Sequence, residues 1–195
     1  MTDDVMQPGD VHTRRNALAL GLALGCCGRV AWAQTPLPPR NQRPAAGDLL
    51  VRAKDGPEAE PLHPDDIPLS APQVMAWARD PSSGTVRDGS RLNQILLLRV
   101  DPESLDPETL AHAAGGVVAY SATCTHAQCP VTEFRQETGI LHCPCHGSEF
   151  DPRAGARVVG GPAPRRLPPL PLRLSADGGL EVAQPFVGKV GAQVA

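Results

Sequence analysis

The sequence predicts a mainly β fold: a small antiparallel domain, rich in loops, behind an N-terminal export signal and a proline-rich linker. Two observations carry that reading. Proline and glycine number 22 and 19, while aromatic residues make up only 3% of the 195. That balance suits turns and short strands better than a helical bundle. The apolar residues of the C-terminal two-thirds fall in short runs separated by turn dipeptides, the pattern of small antiparallel sheets. A formal net charge of −3, with no basic patch interleaved with aromatics, gives no footing for nucleic-acid binding.

Residues 1–33 have the three parts of an export signal. Arg14 and Arg15 supply the basic region, residues 17–28 are Ala, Leu, Gly and Cys, and Ala31-Trp32-Ala33 is a cleavage-type site before Gln34. Thr13-Arg14-Arg15-Asn16-Ala17-Leu18 resembles the twin-arginine signal, which exports proteins folded around their cofactors; Ala17 stands where a bulky residue is usual. The uninterrupted apolar run makes roughly 18 Å of helix at ~1.5 Å per residue, short of a bilayer core of ~30 Å. Cleavage after Ala33 is therefore expected, and it removes Cys26 and Cys27. The alternative is a retained short anchor that counts residues 29–33 into the span and holds the protein at a membrane.

Residues 34–46 hold Pro36, Pro38, Pro39 and Pro44, with Arg40 and Arg43 among them. This composition favours extended polyproline II and reads as a linker. The domain is placed at 47–190. Strands are expected at 49–51, 95–100, 117–121, 157–159, 170–174 and 180–182, the last two joined by the turn Asp177-Gly178-Gly179. Residues 73–79 suit a helical turn or a strand equally. Asp106-Pro107-Glu108 caps a short helix to about residue 114, since Asp is a good N-cap and Pro fits the first helical position. Gly115-Gly116 ends it.

The chemistry sits in two runs, Cys124-Thr125-His126-Ala127-Gln128-Cys129 and Cys143-Pro144-Cys145-His146-Gly147-Ser148. Cys-x-His in one and Cys-x-x-His in the other offer two thiols and two imidazoles. A Cys2His2 zinc site is one reading, though it leaves Cys129 and Cys145 unexplained. Two structural disulfides are another, with three possible connectivities, and that reading leaves His126 and His146 without a role.

The runs resemble the two boxes of the Rieske iron–sulfur family, C-T-H-x-x-C and C-P-C-H-G-S, which account for all six residues at once. The resemblance, flanks included, covers residues 117–172. It implies a 2Fe-2S cluster with Cys124 and Cys143 on one iron and His126 and His146 on the other, within a cluster-binding part at about 117–165. It implies a disulfide between Cys129 and Cys145 joining the two loops, a pairing that suits an exported protein. Ser148 matches the family position whose hydroxyl bonds a bridging sulfide, which raises the potential. Phe150 stands where high-potential members carry a tyrosine. Residues 160–164, with Gly161 and Pro162, resemble the proline loop that closes a third side of the cluster. His142 is expected to be a partly exposed strand residue; His12, His63 and His112 have no functional context.

Two roles follow from the resemblance. Val118-Ala119-Tyr120-Ser121 before the first box resembles the small Rieske subunit of arsenite oxidase, whose second box also carries Phe in place of Tyr. That implies an electron-transfer subunit between a periplasmic dehydrogenase and a c-type cytochrome, and this is the favoured role. The alternative is a quinol-oxidising subunit beside a cytochrome b. The Leu-Gly pair usual after the first histidine there is replaced by Ala127-Gln128. No second domain is available to hold the mononuclear iron of an oxygenase.

Overall fold

The computed structural model describes residues 36–56 and 58–192. The export signal and its cleavage site lie outside the described residues. Ten strands form two antiparallel sheets. The first contains β1 (Leu49–Arg52), β2 (Val74–Arg79), β3 (Ile95–Arg99), β4 (Val117–Ser121), β9 (Leu172–Leu174) and β10 (Leu180–Val182). Its order is β4-β3-β2-β1-β10-β9. Residues 168–170 hydrogen-bond to β4, through Ser121 N–H to the Pro168 carbonyl and Leu170 N–H to the Ala119 carbonyl, both 2.9 Å. The run entering β9 thus returns to the opposite edge of its own sheet. The second sheet is β5 (Glu133–Arg135), β6 (Ile140–Cys143), β7 (Ser148–Asp151) and β8 (Arg157–Gly160), paired in that order.

Two apolar cores explain why β3 and β4 read as continuous apolar runs. Ile95 and Leu97, with Val117 and Ala119, face a core shared with Leu50, Leu170 and Leu180. Leu96 and Leu98, with Val118 and Tyr120, face a second core shared with Cys124, Leu141, Cys143, Phe150 and Leu167. These strands are buried on both faces, so alternation disappears from their sequence. Where one face is open, alternation returns: β2 buries Val74, Ala76 and Ala78 and leaves Met75, Trp77 and Arg79 partly exposed. Pairing to β1 and β3 settles the ambiguity at 73–79 in favour of a strand.

The helix α1 (Pro107–His112) starts where the Asp-Pro pair predicts. The Asp106 carboxylate accepts from Thr109 N–H at 2.7 Å, and Pro107 occupies the first turn. β9 is shorter than the expected 170–174, because Pro171 brings no N–H to the ladder. The proline-rich stretch is bonded to the domain well before residue 47. Arg40 pairs with Asp88 through two hydrogen bonds, and Arg43 donates to the Leu92 carbonyl at 2.7 Å. Among the described residues no helix is long and apolar enough to cross a membrane.

Candidate metal centre

β4 runs directly into the first cysteine loop, and the β6–β7 hairpin turn is the second. Loop 124–129 is closed by Cys124 N–H to the Cys129 carbonyl at 2.8 Å and by Gln128 N–H to the Cys124 carbonyl at 3.1 Å. Gln128 takes a left-handed backbone, φ +60°. In the second loop, Cys143 and Ser148 are register partners, and Gly147 N–H donates to the Cys143 carbonyl at 3.0 Å. A glycine is required at 147, where φ is +72°.

These turns sort the donors by depth. Cys124 and Cys143 are free thiols, each about 1% exposed. His126 is partly buried and His146 is exposed, their rings edge to face with centroids 4.8 Å apart. The site is therefore a buried thiol pair beneath an imidazole pair that reaches the surface. Cys129 and Cys145 form a disulfide with a Cα separation of 6.4 Å, tying one loop to the other.

Three observations fit this donor set to a bound sulfide-bridged metal pair. His126 Nδ1 and Ser148 Oγ are buried without any hydrogen-bond partner in the protein, an arrangement that costs free energy unless a bound group supplies the partner. Burial pushes the Cys143 thiol above its ordinary value, and the neighbouring Cys124 adds to the rise, while the backbone N–H groups of Cys145 and His146 pull the other way. Such N–H groups aimed at sulfur are the donors that a ligating thiolate accepts from. With Cys129 and Cys145 taken up in the disulfide, the free donors are one cysteine and one histidine from each loop.

The third loop lies against the second. A Cβ at Gly161 would collide with the Gly147 carbonyl oxygen and fall 2.6 Å from Ser148 Cα, and φ there is +76°, so only glycine allows this approach. Pro162 is exposed beside it, and Phe150 is fully buried opposite Leu141. His142 lies on β6 as expected, but it has a partner that sequence reasoning missed: its Nδ1 is 2.7 Å from the Glu133 carboxylate on β5. Thr125 and Arg165 were missed as well. The Thr125 hydroxyl donates to the Arg165 carbonyl at 2.6 Å, a contact across 40 residues that leaves no local signal. His63 is exposed and His112 lies at the end of α1. His12 is outside the described residues.

Comparison with known proteins agrees with this geometry. Residues 77–171 match the family described as the Rieske 2Fe-2S domain. The cytochrome bc1 complex Rieske iron-sulfur subunit of Streptomyces lividans is 36% identical over 151 residues, covering 74% of this chain and 85% of that protein. The chain belongs to the Rieske iron–sulfur family. Its cofactor is a Rieske-type 2Fe-2S cluster, and its work is electron transfer. A putative respiratory nitrate reductase subunit Rieske from Haloferax mediterranei is 42% identical over 97 residues, covering 50% of this chain and 43% of that one. The Streptomyces coelicolor bc1 relative is likewise matched over 41% of its length, so this Rieske chain spans less than half of some relatives. Among solved structures, a plasma-membrane Rieske protein from Synechocystis PCC 6803 is 24% identical with a TM-score of 0.37, covering 56% of this chain and 84% of that one.

Proposed function

We propose that this Rieske protein is the iron–sulfur subunit of an exported redox complex, passing single electrons toward a c-type cytochrome. Cys124 and Cys143 are the thiolate ligands of one iron; His126 and His146 are the imidazole ligands of the other. The carrying observation is the depth order of the donors: both thiols buried, the imidazole pair at the surface. When bound there, the cluster supplies a one-electron couple whose potential is raised because two neutral imidazoles replace two thiolates. The polypeptide does the rest. Ser148 supplies a buried hydroxyl free of any protein partner, the disulfide holds the two loops together, and exposed His146 lies where a partner docks.

A quinol-oxidising role in a bc-type complex is the second reading, favoured by the names of the Streptomyces relatives. Against it, the surface beside His126 carries the small side chain of exposed Ala127, where a bulky apolar residue is expected at a quinol-docking face. Twin-arginine export with cleavage of the signal and a periplasmic location belong to this proposal too, and membrane association through a retained N-terminus is its alternative. N-terminal sequencing of the mature protein decides between cleavage and a retained anchor: a start near Gln34 is expected, and an intact Met1 or Thr2 would establish the anchor.

Two measurements test the reading. His126→Cys and His146→Cys should each abolish the Rieske-type spectrum of the reduced protein, while His142→Gln should keep it. Purification from native cells should bring down a dehydrogenase or a c-type cytochrome; co-elution with a cytochrome b would establish the second reading instead.

A further inference from the structure

We propose that the segment 185–192 is a strap that holds the first cysteine loop in place, with Arg165 as its buckle and Gln128 as the point it presses on. The proposal rests on the reading of His126 as a ligand and adds what positions it. The contacts form a closed circuit. The Arg165 guanidinium donates to the carbonyls of Lys189 and Gly191, while the Arg165 carbonyl accepts from the Thr125 hydroxyl at 2.6 Å. Gly191 returns to the loop: a Cβ there would stand 3.1 Å from the Leu92 side chain and 3.3 Å from that of Gln128. The strap is fixed at its other end by Val187 N–H to the Pro169 carbonyl at 2.8 Å and by Phe186 against the core.

Thr125 and Gln128 bracket His126 and Ala127. The circuit therefore grips the loop on both sides of the imidazole that carries the unpartnered Nδ1. It also bears on the oddest backbone in the site. Gln128 sits at φ +60°, a strained conformation for a non-glycine residue that persists only where the surroundings impose it. The Gln128 N–H bond to the Cys124 carbonyl and the disulfide at Cys129 hold the loop from within, and the strap adds to that from outside, where Gly191 lies against the Gln128 side chain. A glycine in place of Gln128 would need no strap.

Three variants test this in the cluster-loaded full chain. Arg165→Gln removes the two-carbonyl fork, Gly191→Val both strains a left-handed backbone at φ +78° and drives a side chain into Leu92 and Gln128, and Gln128→Gly releases the strained position. Hydrogen exchange at the Cys124 and Gln128 amides should speed up about tenfold in Arg165→Gln and in Gly191→Val, the scale of one net hydrogen bond lost. Nitrogen couplings of the reduced cluster should change for His126 and stay fixed for His146. In the Gln128→Gly background the same two changes should have markedly smaller effects, a coupling that a merely global loss of stability would not produce. Unchanged exchange and couplings in both strap variants, or equal effects in the wild-type and Gln128→Gly backgrounds, would overturn the proposal. The amide exchange does not depend on which residues bind iron. A wild type without histidine couplings, with exchange still responding, sinks the ligand reading and leaves the strap standing.

Discussion

At the scale of single residues, the boxes name the side chains of the site, and burial shows which of their atoms lack a partner in the protein. Cys124, His126, Cys143 and His146 were legible because few other uses explain two Cys/His pairs at that spacing. The orphaned Ser148 Oγ is different, because its missing partner is a property of the fold around it. Two changes of sign follow for Ser148→Ala. The reduction potential should fall by tens of millivolts, on the scale of hydrogen bonds to cluster sulfur. The metal-free protein should be no less stable, and gain up to about 1 kcal/mol, because a buried hydroxyl without a partner is removed. Phe150 gives the converse case. It is fully buried in the same core as Cys124 and Cys143, at the position where high-potential members of the family carry a tyrosine, so Phe150→Tyr should raise the potential by tens of millivolts. Redox titration of the two variants against wild type measures both shifts; no upward shift for the tyrosine variant sinks the second.

At the scale of elements, burial on both faces made strands legible, although β8 was also read, from Val158-Val159, while its residues are exposed or half-buried. β3 and β4 were readable because both faces are covered; β5 was not, because Glu133 and Arg135 are exposed and only Phe134 turns inward. The helix α1 was readable from its cap, and the cap has a measurable consequence. The Thr109 side chain and N–H hold the Asp106 carboxyl below the usual carboxylate range, so its folded value lies below its unfolded one. The cap therefore contributes fully above the unfolded value of about 3.9, and the contribution fades as pH falls from there through the lower folded value. Asp106→Ala should cost about 1 kcal/mol at neutral pH, and the gap between variant and wild type should narrow as the pH falls below the unfolded value and through the lower folded one. Thr109 extends this effect toward the centre, since its Oγ1 accepts from Gly155 N–H at 2.7 Å. The disulfide acts between elements. Cys129 and Cys145 are 16 residues apart, and closing a loop of that size is worth about 3 kcal/mol. Cys129→Ser/Cys145→Ser should lose about that much in denaturant melts of the oxidised proteins.

At the scale of the whole molecule, the least legible feature is how the proline-rich stretch joins the domain. In sequence Asp48 and Arg87 look like surface charges 39 residues apart. In the fold they are 2% and 6% exposed and meet in a two-pronged pair, Nε to Oδ2 at 2.6 Å and Nη2 to Oδ1 at 2.9 Å. Arg87 also donates to Gln42 Oε1 at 3.0 Å, and buried Asn93 donates to the carbonyls of Gln42 and Arg87. No local pattern encodes such a knot, because each member finds its partner only after β1 and β2 have paired. The knot and the exposed Arg40–Asp88 pair hold the same stretch, and their burial predicts opposite outcomes. Arg40→Ala breaks a pair whose arginine side chain is 67% exposed and screened by water, and it should leave the urea midpoint almost unchanged. Arg87→Met strands the Asp48 carboxylate in the interior and should cost about 3–5 kcal/mol. Adding Asp48→Leu to Arg87→Met should recover much of that loss, since the penalty lies in the unpaired charge more than in the absent pair. Urea midpoints of the three proteins decide it: equal losses in Arg40→Ala and Arg87→Met, or no recovery in the double variant, would mean that the knot does not hold the proline-rich stretch in this way.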